Sequence, residues 1–137
     1  MELEPYLFFS GDCEEALNFY KGIFGGEISG ISRWKDAPAE MGMPAEFGER
    51  IMHSSFESST LKFMASDSRP TAKYGEGRIS LALGTTDLVE AQRVWDVLAK
   101  GGTVDAEFED TFWGAKFGML TDKYGIDWMI NCQVKPR

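Results

Sequence analysis

The stretch DCEEALNFYKGIFGG, residues 12–26, decides the fold class because it predicts a helix together with both of its ends. Asp12 and Glu15 form a capping-box arrangement, in which each side chain satisfies an otherwise unpaired backbone N–H. Gly25-Gly26 ends the helix, because glycine tolerates the left-handed conformation that helix C-termini adopt. Between these signals, apolar residues with helical spacing form one core-facing stripe: Ala16, Tyr20, Ile23 and Phe24.

A second stretch, DLVEAQRVWDVLAKGG at residues 87–102, repeats this arrangement. Asp87 and Glu90 form the second capping box, and Gly101-Gly102 forms the second stop. The apolar stripe recurs at Ala91, Val94, Trp95 and Leu98. A chance match between two helices is the alternative, but a shared cap, stripe and stop in the same order indicate a duplicated module.

Strand-like segments flank each predicted helix in the same order. In the first half these segments are Pro5–Phe9, Glu27–Trp34, Arg50–Glu57 and Thr60–Ser66. In the second half they are Arg78–Gly84, Thr103–Thr111, Ala115–Thr121 and Asp127–Cys132. The sequence therefore predicts a single α+β domain over residues 1–137, built from two tandem βαβββ modules at about 1–76 and 77–137. Such modules form curved mixed sheets with the helices outside.

Composition limits the partners of the chain. It has 14 basic and 22 acidic residues and a net charge of −8. Because nucleic acids and anionic membranes are bound through clustered Lys and Arg, this excess disfavours both and favours neutral or cationic small molecules. No apolar run approaches the roughly 20 residues that cross a bilayer. Cys13 and Cys132 form no CxxC motif and the N-terminus has no export signal, so we expect a cytoplasmic protein with free thiols.

The most specific motifs lie in the second half, where residues 111–118 read TFWGAKFG and residues 121–131 read TDKYGIDWMIN. Shorter motifs in the first half are PYLFF at 5–9, EEAL at 14–17, Phe19-Tyr20, and IMH at 51–53. Together they resemble the PhnB-like branch of the glyoxalase/bleomycin resistance/dioxygenase (vicinal oxygen chelate) superfamily. The resemblance covers nearly the whole chain, and it implies duplicated βαβββ modules and a homodimer.

Common catalytic motifs are absent: the chain has no GxSxG, no HExxH, no Walker loop and no glycine-rich nucleotide fingerprint after a strand. Hydrolase, kinase and Rossmann-type functions are therefore disfavoured. Relatives in the PhnB-like branch are also labelled demethylubiquinone methyltransferases. Without a glycine-rich loop this chain has no place for the nucleotide part of a methyl donor, so methyl transfer is not expected.

The resemblance also locates the metal ligands of metal-dependent relatives, which come from the first and fourth strands of each module, usually His or Gln first and Glu last. In this chain the corresponding positions hold Pro5, then Lys62, Phe63 or Met64, then Arg78, and finally Met129. A divalent ion needs several converging N or O ligands at about 2 Å, which these residue types do not supply. We therefore expect neither a metal nor another cofactor.

Six residues are candidates for contact with a ligand: His53, Arg78, Trp113, Phe117, Trp128 and Met129. His53 is the only histidine and is predicted on a strand with Ile51 and Ser55 on its own face. It is either an acid or base near neutral pH or a hydrogen-bonded structural residue. The aromatic candidates and Met129 either line a hydrophobic cleft or pack in the core or a dimer contact.

An acidic strand and a long loop-like segment each have two possible interpretations. Asp105, Glu107 and Glu109 alternate along a predicted strand, so they share a face that is either an ordinary solvated surface or attractive to a cationic ligand. The methionine- and proline-containing segment Lys35–Gly48 is either a lid over a cleft or disordered.

Three functions are consistent with these observations. The leading hypothesis is a PhnB-like protein that binds a small, partly apolar organic molecule in a cleft between its sheets, without a catalytic metal. One alternative is a divergent lyase, isomerase or dioxygenase whose site lies around His53 and Arg78. The other is a dimeric binding protein that sequesters a cationic antibiotic near the acidic strand.

Overall fold

A computed structural model describes residues 4–38, 42–67 and 79–134. The chain divides into two compact units, Met1–Tyr74 and Gly75–Arg137. The predicted module boundary near residue 76 lies outside the described residues. Each unit contains one α-helix and one four-stranded mixed sheet, which confirms the predicted α+β class.

The first unit follows the predicted order of strand, helix and three strands. Its elements are β1 (Tyr6–Phe9), α1 (Cys13–Phe24), β2 (Glu27–Arg33), β3 (Ile51–Glu57) and β4 (Lys62–Asp67). The strand order in the sheet is β1-β4-β3-β2, with β1 parallel to β4 and the other neighbours antiparallel. Because β1 and β4 are parallel, α1 and two further strands provide the connection between them.

The second unit repeats this topology. Its elements are β5 (Leu81–Thr85), α2 (Leu88–Ala99), β6 (Thr103–Asp110), β7 (Ala115–Thr121) and β8 (Asp127–Gln133). The sheet order is β5-β8-β7-β6, and β5 is parallel to β8. The predicted tandem βαβββ architecture is therefore confirmed. The described β5 begins at Leu81, later than predicted, and Arg78 lies outside the described residues.

The predicted capping box at the start of α1 is wrong. Asp12 makes no side-chain hydrogen bond to the helix, and its carboxylate instead accepts from the Ser10 N–H at 3.3 Å. The orphan N–H of Cys13 is satisfied by Asp67 at the end of β4, whose Oδ1 lies 3.0 Å away. A residue distant in sequence has replaced the local cap, because folding places the end of β4 beside the start of α1.

The carboxylate of Asp67 joins three segments of the first unit. Its Oδ1 also accepts from the Gly11 N–H at 2.8 Å, and its Oδ2 accepts from the Ile51 N–H at 2.9 Å. The residue is only 1% exposed. A buried carboxylate is tolerated when hydrogen bonds replace its hydration, and three backbone donors meet that need here. We call this arrangement the Asp67 clasp.

At the start of α2 the predicted cap is confirmed, but its reciprocal partner is not. Asp87 accepts a hydrogen bond from the Glu90 N–H at 3.1 Å. The Glu90 carboxylate does not return to the cap, because it pairs with Arg93 at 2.9 Å. The N–H of Asp87 donates instead to Thr85 Oγ1.

Both predicted glycine stops are confirmed, and the second glycine of each has a steric role. A Cβ on Gly26 would lie 2.3 Å from the carbonyl oxygen of Glu57 at the end of β3. A Cβ on Gly102 would lie 2.3 Å from the carbonyl oxygen of Thr121 at the end of β7. Each module therefore turns its helix into the next strand against a backbone carbonyl that only glycine can approach.

Each helix packs on one face of its own sheet. In the first unit, Phe56 stacks on Phe63 with ring centroids 5.1 Å apart, and Tyr20 of α1 meets Phe63 edge-on. In the second unit, Trp95 of α2 stacks on Phe108 at 5.3 Å. These aromatic contacts contribute to the apolar burial that stabilises each unit.

Candidate functional site on the open sheet faces

The face of the first sheet opposite α1 holds the residues best placed to meet a ligand. Side chains alternate along a strand, so the positions next to the buried Phe56 and Phe63 point away from the helix. Strand register groups these positions, since Met64 is the Cα partner of both Tyr6 and Ser55. We call this surface the first open face; its members are Tyr6, Phe8, His53, Ser55 and Met64.

A hydrogen-bonded tyrosine–histidine pair lies on the first open face. Tyr6 Oη is 3.0 Å from His53 Nδ1, although the two residues are distant in sequence. Phe8 stacks on Tyr6 with ring centroids 4.8 Å apart and remains 52% exposed. His53 and Ser55 are half-buried, whereas Ile51 is 1% exposed beside the Asp67 clasp. His53 is thus hydrogen-bonded and also lies on a surface that a ligand can reach.

Tyr6 and His53 can each act as donor or acceptor in the hydrogen bond that joins them. A tyrosine hydroxyl both donates and accepts, so it can pair with either state of Nδ1. When Tyr6 donates, Nδ1 is unprotonated and the neutral ring carries its proton on Nε2. No described residue forms a hydrogen bond with His53 Nε2. This nitrogen is therefore one polar group of the first open face that is available to a ligand.

The second sheet has an equivalent surface opposite α2. By register, Met129 is the Cα partner of Ala82 and Met119, and Asn131 is the partner of Gly84 and Phe117. Trp113, in the turn between β6 and β7, donates from Nε1 to Asn131 Oδ1 at 3.3 Å and meets Phe117 at 5.9 Å. We call this surface the second open face; its members are Ala82, Gly84, Phe117, Met119, Met129 and Asn131, with Trp113 at its edge.

The six candidate residues predicted from the sequence divide into four groups, the first of which is His53 on the first open face. Trp113, Phe117 and Met129 are half-buried and lie together on or beside the second open face. Trp128 is 0% exposed, and its Nε1 donates to the buried carboxylate of Asp122 at 2.8 Å, so it is a core residue. Arg78 lies outside the described residues.

Tyr6 is the site residue that sequence reasoning missed. It lies one residue after Pro5, which had been compared with the metal-ligand position of relatives. The sequence predicted a strand over Pro5–Phe9, but it has no signal that pairs this strand with His53 on β3. The order β1-β4-β3 brings these side chains together across the sheet.

Register also shows how the duplicated modules have diverged. Ser54 pairs with Ala65 in the first unit as Gly118 pairs with Ile130 in the second. With this alignment Met64 corresponds to Met129, which resolves the choice among three residues on β4. The other equivalent pairs are His53 and Phe117, Tyr6 and Ala82, and Phe8 and Gly84. The hydrogen-bonding pair is therefore present in one module only.

The donor set does not fit a divalent metal ion. Met64 and Met129 stand at the fourth strands, and their partners on the first strands are Tyr6 and Ala82. Thioethers, an alanine and a lone phenol do not form the set of carboxylates and imidazoles that divalent ions require. Within 4–38, 42–67 and 79–134, no group of three or more His, Cys, Asp or Glu is placed to hold a metal.

The acidic residues of β6 lie at an edge of the second sheet. Asp105, Glu107 and Glu109 are exposed, and two register shifts interrupt the pairing of β6 with β7. The Thr121 hydroxyl lies 3.3 Å from Asp105 Oδ2 and 2.6 Å from Asp127 Oδ1. Exposed charges on an edge strand are typical of a solvated surface that prevents association of sheets.

The described parts of the segment Lys35–Gly48 contain two short turns. Trp34–Asp36 and Ala45–Phe47 form single 3₁₀ turns, and the Lys35 N–H donates to the Gly48 carbonyl. A cavity of about 330 Å³ is lined there by Trp34, Pro38, Met43 and Pro44, among others. Residues 39–41 lie outside the described residues. The role of this segment as a lid stays a prediction.

A second cavity, also of about 330 Å³, lies beside the Asp67 clasp. Arg33 lines it and forms an ion pair with Glu14 at 2.9 Å. This hydrogen bond lowers the pKa of Glu14 below its usual range. The guanidinium of Arg50 covers the ring of Phe47 at 3.8 Å. Acidic and basic groups alternate around this cavity, so it has no strong preference for a charged ligand.

Comparison with known proteins places this geometry in a family. A family model described as 3-demethylubiquinone-9 3-methyltransferase matches residues 1–131. The chain belongs to this family. Protein YjdN of Escherichia coli K12 is 31% identical over 142 residues, covering 96% of this chain and 95% of YjdN.

Solved structures agree with this assignment to the PhnB-like family. Protein PA1353 of Pseudomonas aeruginosa is 36% identical with a TM-score of 0.84, over 97% of this chain and 98% of that one. The PhnB protein of Bacillus cereus is 28% identical with a TM-score of 0.82, over 96% and 99%. The fosfomycin resistance protein FosX of Listeria monocytogenes, 13% identical with a TM-score of 0.62 over 95% and 90%, shares the fold. The glyoxalase/bleomycin resistance fold is therefore confirmed.

The methyltransferase label of the family has no counterpart in the described architecture. Each sheet contains a single parallel pair of strands, unlike the doubly wound parallel sheet on which nucleotide cofactors bind. The β1–α1 connection is Ser10-Gly11-Asp12, which lacks a glycine-rich fingerprint.

In the described part of the chain, no helix combines the length and the apolar character needed to cross a membrane.

Proposed function

We propose that this PhnB-like protein binds a small, uncharged organic molecule with an aromatic or carbonyl part, and that binding requires no metal. The observation that carries the proposal is the Tyr6–His53 pair on the first open face, with Nε2 unused by the described residues. Around this polar pair lie the exposed ring of Phe8 and the thioether of Met64. Small-molecule sites combine apolar walls with a few such oriented polar groups.

The charge of the first open face supports a neutral ligand. Apart from the titratable His53, its five members carry no formal charge; the charged Glu57 and Lys62, which share the face by alternation, are Cα partners of opposite sign at the ends of β3 and β4 away from Tyr6. An ionic ligand would lose hydration on binding there without gaining an opposite charge, which is unfavourable. This argument favours an uncharged ligand over the cationic antibiotic considered from the sequence.

Thermal-shift measurements on the full chain test the proposal. The probes are 4-hydroxyacetophenone as a neutral aromatic ketone, kanamycin as a cationic antibiotic, and Mn²⁺ and Zn²⁺ as metals. At a concentration of 100 Kd a ligand stabilises a protein by ~2.7 kcal/mol, which is measurable as a rise in Tm. We expect stabilisation by the neutral ketone only.

A matched substitution connects the shift to the site. His53→Phe introduces the residue that the second module carries at the equivalent position, so the ring is kept and the hydrogen bond is lost. We expect this variant to fold and to lose the ketone-induced shift, whereas Asp96→Asn on the exposed surface of α2 keeps it. Stabilisation by Mn²⁺ or Zn²⁺, or by kanamycin alone, would contradict the proposal.

A second function is favoured by the same pair, namely proton transfer in a lyase or isomerase reaction. A histidine fixed by a hydrogen bond at Nδ1 can use Nε2 as an acid or base. The test is hydrogen–deuterium exchange at the methyl carbon of 4-hydroxyacetophenone in D₂O, followed by NMR. Catalysed exchange that disappears in His53→Phe would establish it, and binding without exchange would leave the protein a binding protein.

We further propose a cytoplasmic homodimer. The exposed aromatic residues support association, since Phe112 is 98% exposed in the turn before β7. The thiols of Cys13 and Cys132 are both buried and unpaired in the described structure, as suits a reducing compartment. Sedimentation equilibrium of the full chain tests the dimer, and a monomer at micromolar concentration would contradict it.

A further inference from the structure

The cavity beside the Asp67 clasp is lined by an arginine whose guanidinium is held in place but makes no polar contact. Arg50 is half-buried, and its Cζ lies 3.8 Å from the ring centroid of Phe47. A Cβ on Gly11 would lie 3.0 Å from this Cζ and farther from Nη2 and Nε, so the Gly11 backbone approaches the flat side of the group. No described residue forms a hydrogen bond or ion pair with the guanidinium, although its edges carry several N–H donors.

The other arginine of the cavity is fully engaged. Arg33 binds the Glu14 carboxylate through both terminal nitrogens, at 3.2 and 2.9 Å, and Nη1 also donates to the Glu49 carbonyl at 2.7 Å. The exposed Glu49 carboxylate accepts from Lys35 at 2.9 Å through Oε1. Among the basic residues that line the cavity, only Arg50 has no acidic partner in the described part of the chain.

The charges that line the cavity disfavour a simple ion of either sign. Three acidic residues, Glu14, Glu49 and Asp67, face two basic residues, Arg33 and Arg50. An anion that bonds Arg50 approaches three carboxylates, and a cation that approaches the carboxylates leaves Arg50 without a partner. Each carboxylate oxygen can accept more than one hydrogen bond, so the glutamates keep acceptor capacity beside their ion pairs. A ligand that carries both charges on neighbouring atoms matches both kinds of group.

We propose that this cavity binds the zwitterionic head group of a small free amino acid. The ligand carboxylate accepts from the N–H edge of Arg50, and the ligand ammonium donates to the carboxylates of Glu14 and Glu49. A guanidinium fork matches a carboxylate with two parallel hydrogen bonds, and an arginine packed on an aromatic ring has its fork oriented in advance. The volume of about 330 Å³ suits a small molecule. Only Gly11 and Ile51 provide apolar lining, which favours a short side chain.

This binding site is separate from the proposed function. It shares no residue with the first open face, because it lies where β1 and β4 end and β3 begins. The proposal therefore does not depend on the Tyr6–His53 pair. His53→Phe should leave the affinity for an amino acid unchanged, and loss of that affinity in this variant would overturn the inference.

Isothermal titration calorimetry of the full chain tests the inference with three matched probes. L-Alanine carries both charges, propionate lacks the ammonium group, and ethylammonium lacks the carboxylate. We expect saturable binding of L-alanine and at least about tenfold weaker binding of each of the other two, because each leaves charges in the cavity unmatched. Propionate binding as tightly as L-alanine would make this a simple anion site, and no binding of L-alanine up to about 10 mM would leave no site. Either result would overturn the inference.

Substitutions of Arg50 assign the binding to this cavity. Arg50→Gln removes the positive charge and should weaken L-alanine binding by at least about tenfold. Arg50→Lys keeps the charge but loses the planar fork, so we expect a loss of about three- to tenfold. Arg93→Gln on the exposed surface of α2 is the control and should bind as wild type does. Thermal unfolding checks that each variant is folded, and equal affinity in a folded Arg50→Gln variant and wild type would contradict the proposal.

Glu49→Gln separates binding of the ammonium group from a structural effect. This variant removes one carboxylate from the cavity, so it should weaken L-alanine binding while propionate binding stays the same or becomes tighter. A structural role of Glu49 would weaken both probes together, and that result would contradict the proposed head-group contacts. Because 4-hydroxyacetophenone tests the first open face, its failure to bind would remove the proposed function and leave this inference standing.

Discussion

The substitution Asp67→Asn tests the tertiary cap of α1. The carboxylate accepts three backbone hydrogen bonds, from Gly11 and Cys13 at Oδ1 and from Ile51 at Oδ2. An asparagine keeps one oxygen, which can serve Gly11 and Cys13. Its NH₂ group then faces the Ile51 N–H at 2.9 Å, so two donors oppose each other inside the protein.

The magnitude follows from these contacts. An unsatisfied buried N–H costs ~1–3 kcal/mol, and loss of the negative charge weakens the two surviving bonds by about 1 kcal/mol in total. Asp67→Asn should therefore lower the free energy of unfolding by about 2–4 kcal/mol. For a chain of this size that corresponds to a fall in Tm of roughly 6–16 °C.

Thermal and urea unfolding, followed by circular dichroism, measure this change against a matched control. Asp12→Asn alters the residue that the sequence predicted as the cap, but its carboxylate bonds only the Ser10 N–H at 3.3 Å. We expect that variant to stay within about 0.5 kcal/mol of wild type, as surface substitutions do. A larger loss for Asp12→Asn than for Asp67→Asn would refute the reasoning.

Three further results are expected. Gly102→Ala should destabilise by ~1–3 kcal/mol because its Cβ would lie 2.3 Å from a carbonyl oxygen, whereas Gly22→Ala should stabilise by ~0.5–1 kcal/mol; urea titrations compare them. Burial raises the pKa of Cys13 to about 12 and also raises that of Cys132, so dithionitrobenzoate at pH 8 should label neither thiol until guanidinium unfolds the chain. Because the folded pKa is raised, stability should fall as pH rises above ~8.5, and Cys13→Ala should flatten that fall in urea titrations.

Much of the candidate site was predictable in composition but not in arrangement. The sequence indicated His53, Trp113, Phe117 and Met129, and the structure places all of them on or beside an open face. It did not indicate that Tyr6 pairs with His53, because that contact crosses from β1 to β3 over β4. Local patterns report which face a residue occupies but not which strands become neighbours.

Trp128 is a residue that the sequence indicated for the site and that the structure places in the core instead. Trp128 and Met129 were both candidates for a cleft because apolar and aromatic side chains line small-molecule pockets, yet alternation sends these two side chains to opposite faces. Trp128 faces the buried Asp122, which accepts the Trp128 Nε1–H at 2.8 Å and also the N–H groups of Tyr124 and Ile126. Only the folded turn between β7 and β8 creates this set of contacts.

The sequence by itself determined the duplicated βαβββ modules, because helix stripes, glycine stops and strand alternation depend on residues close together along the chain. The resemblance to the PhnB-like branch added the expectation that Lys62, Phe63 or Met64, and Met129 stand where metal-dependent relatives have ligands. Only the tertiary structure decided that Asp67 rather than Asp12 caps α1, and that Tyr6 meets His53. Both contacts join segments that the chain separates, and strand order and register bring them within hydrogen-bonding distance.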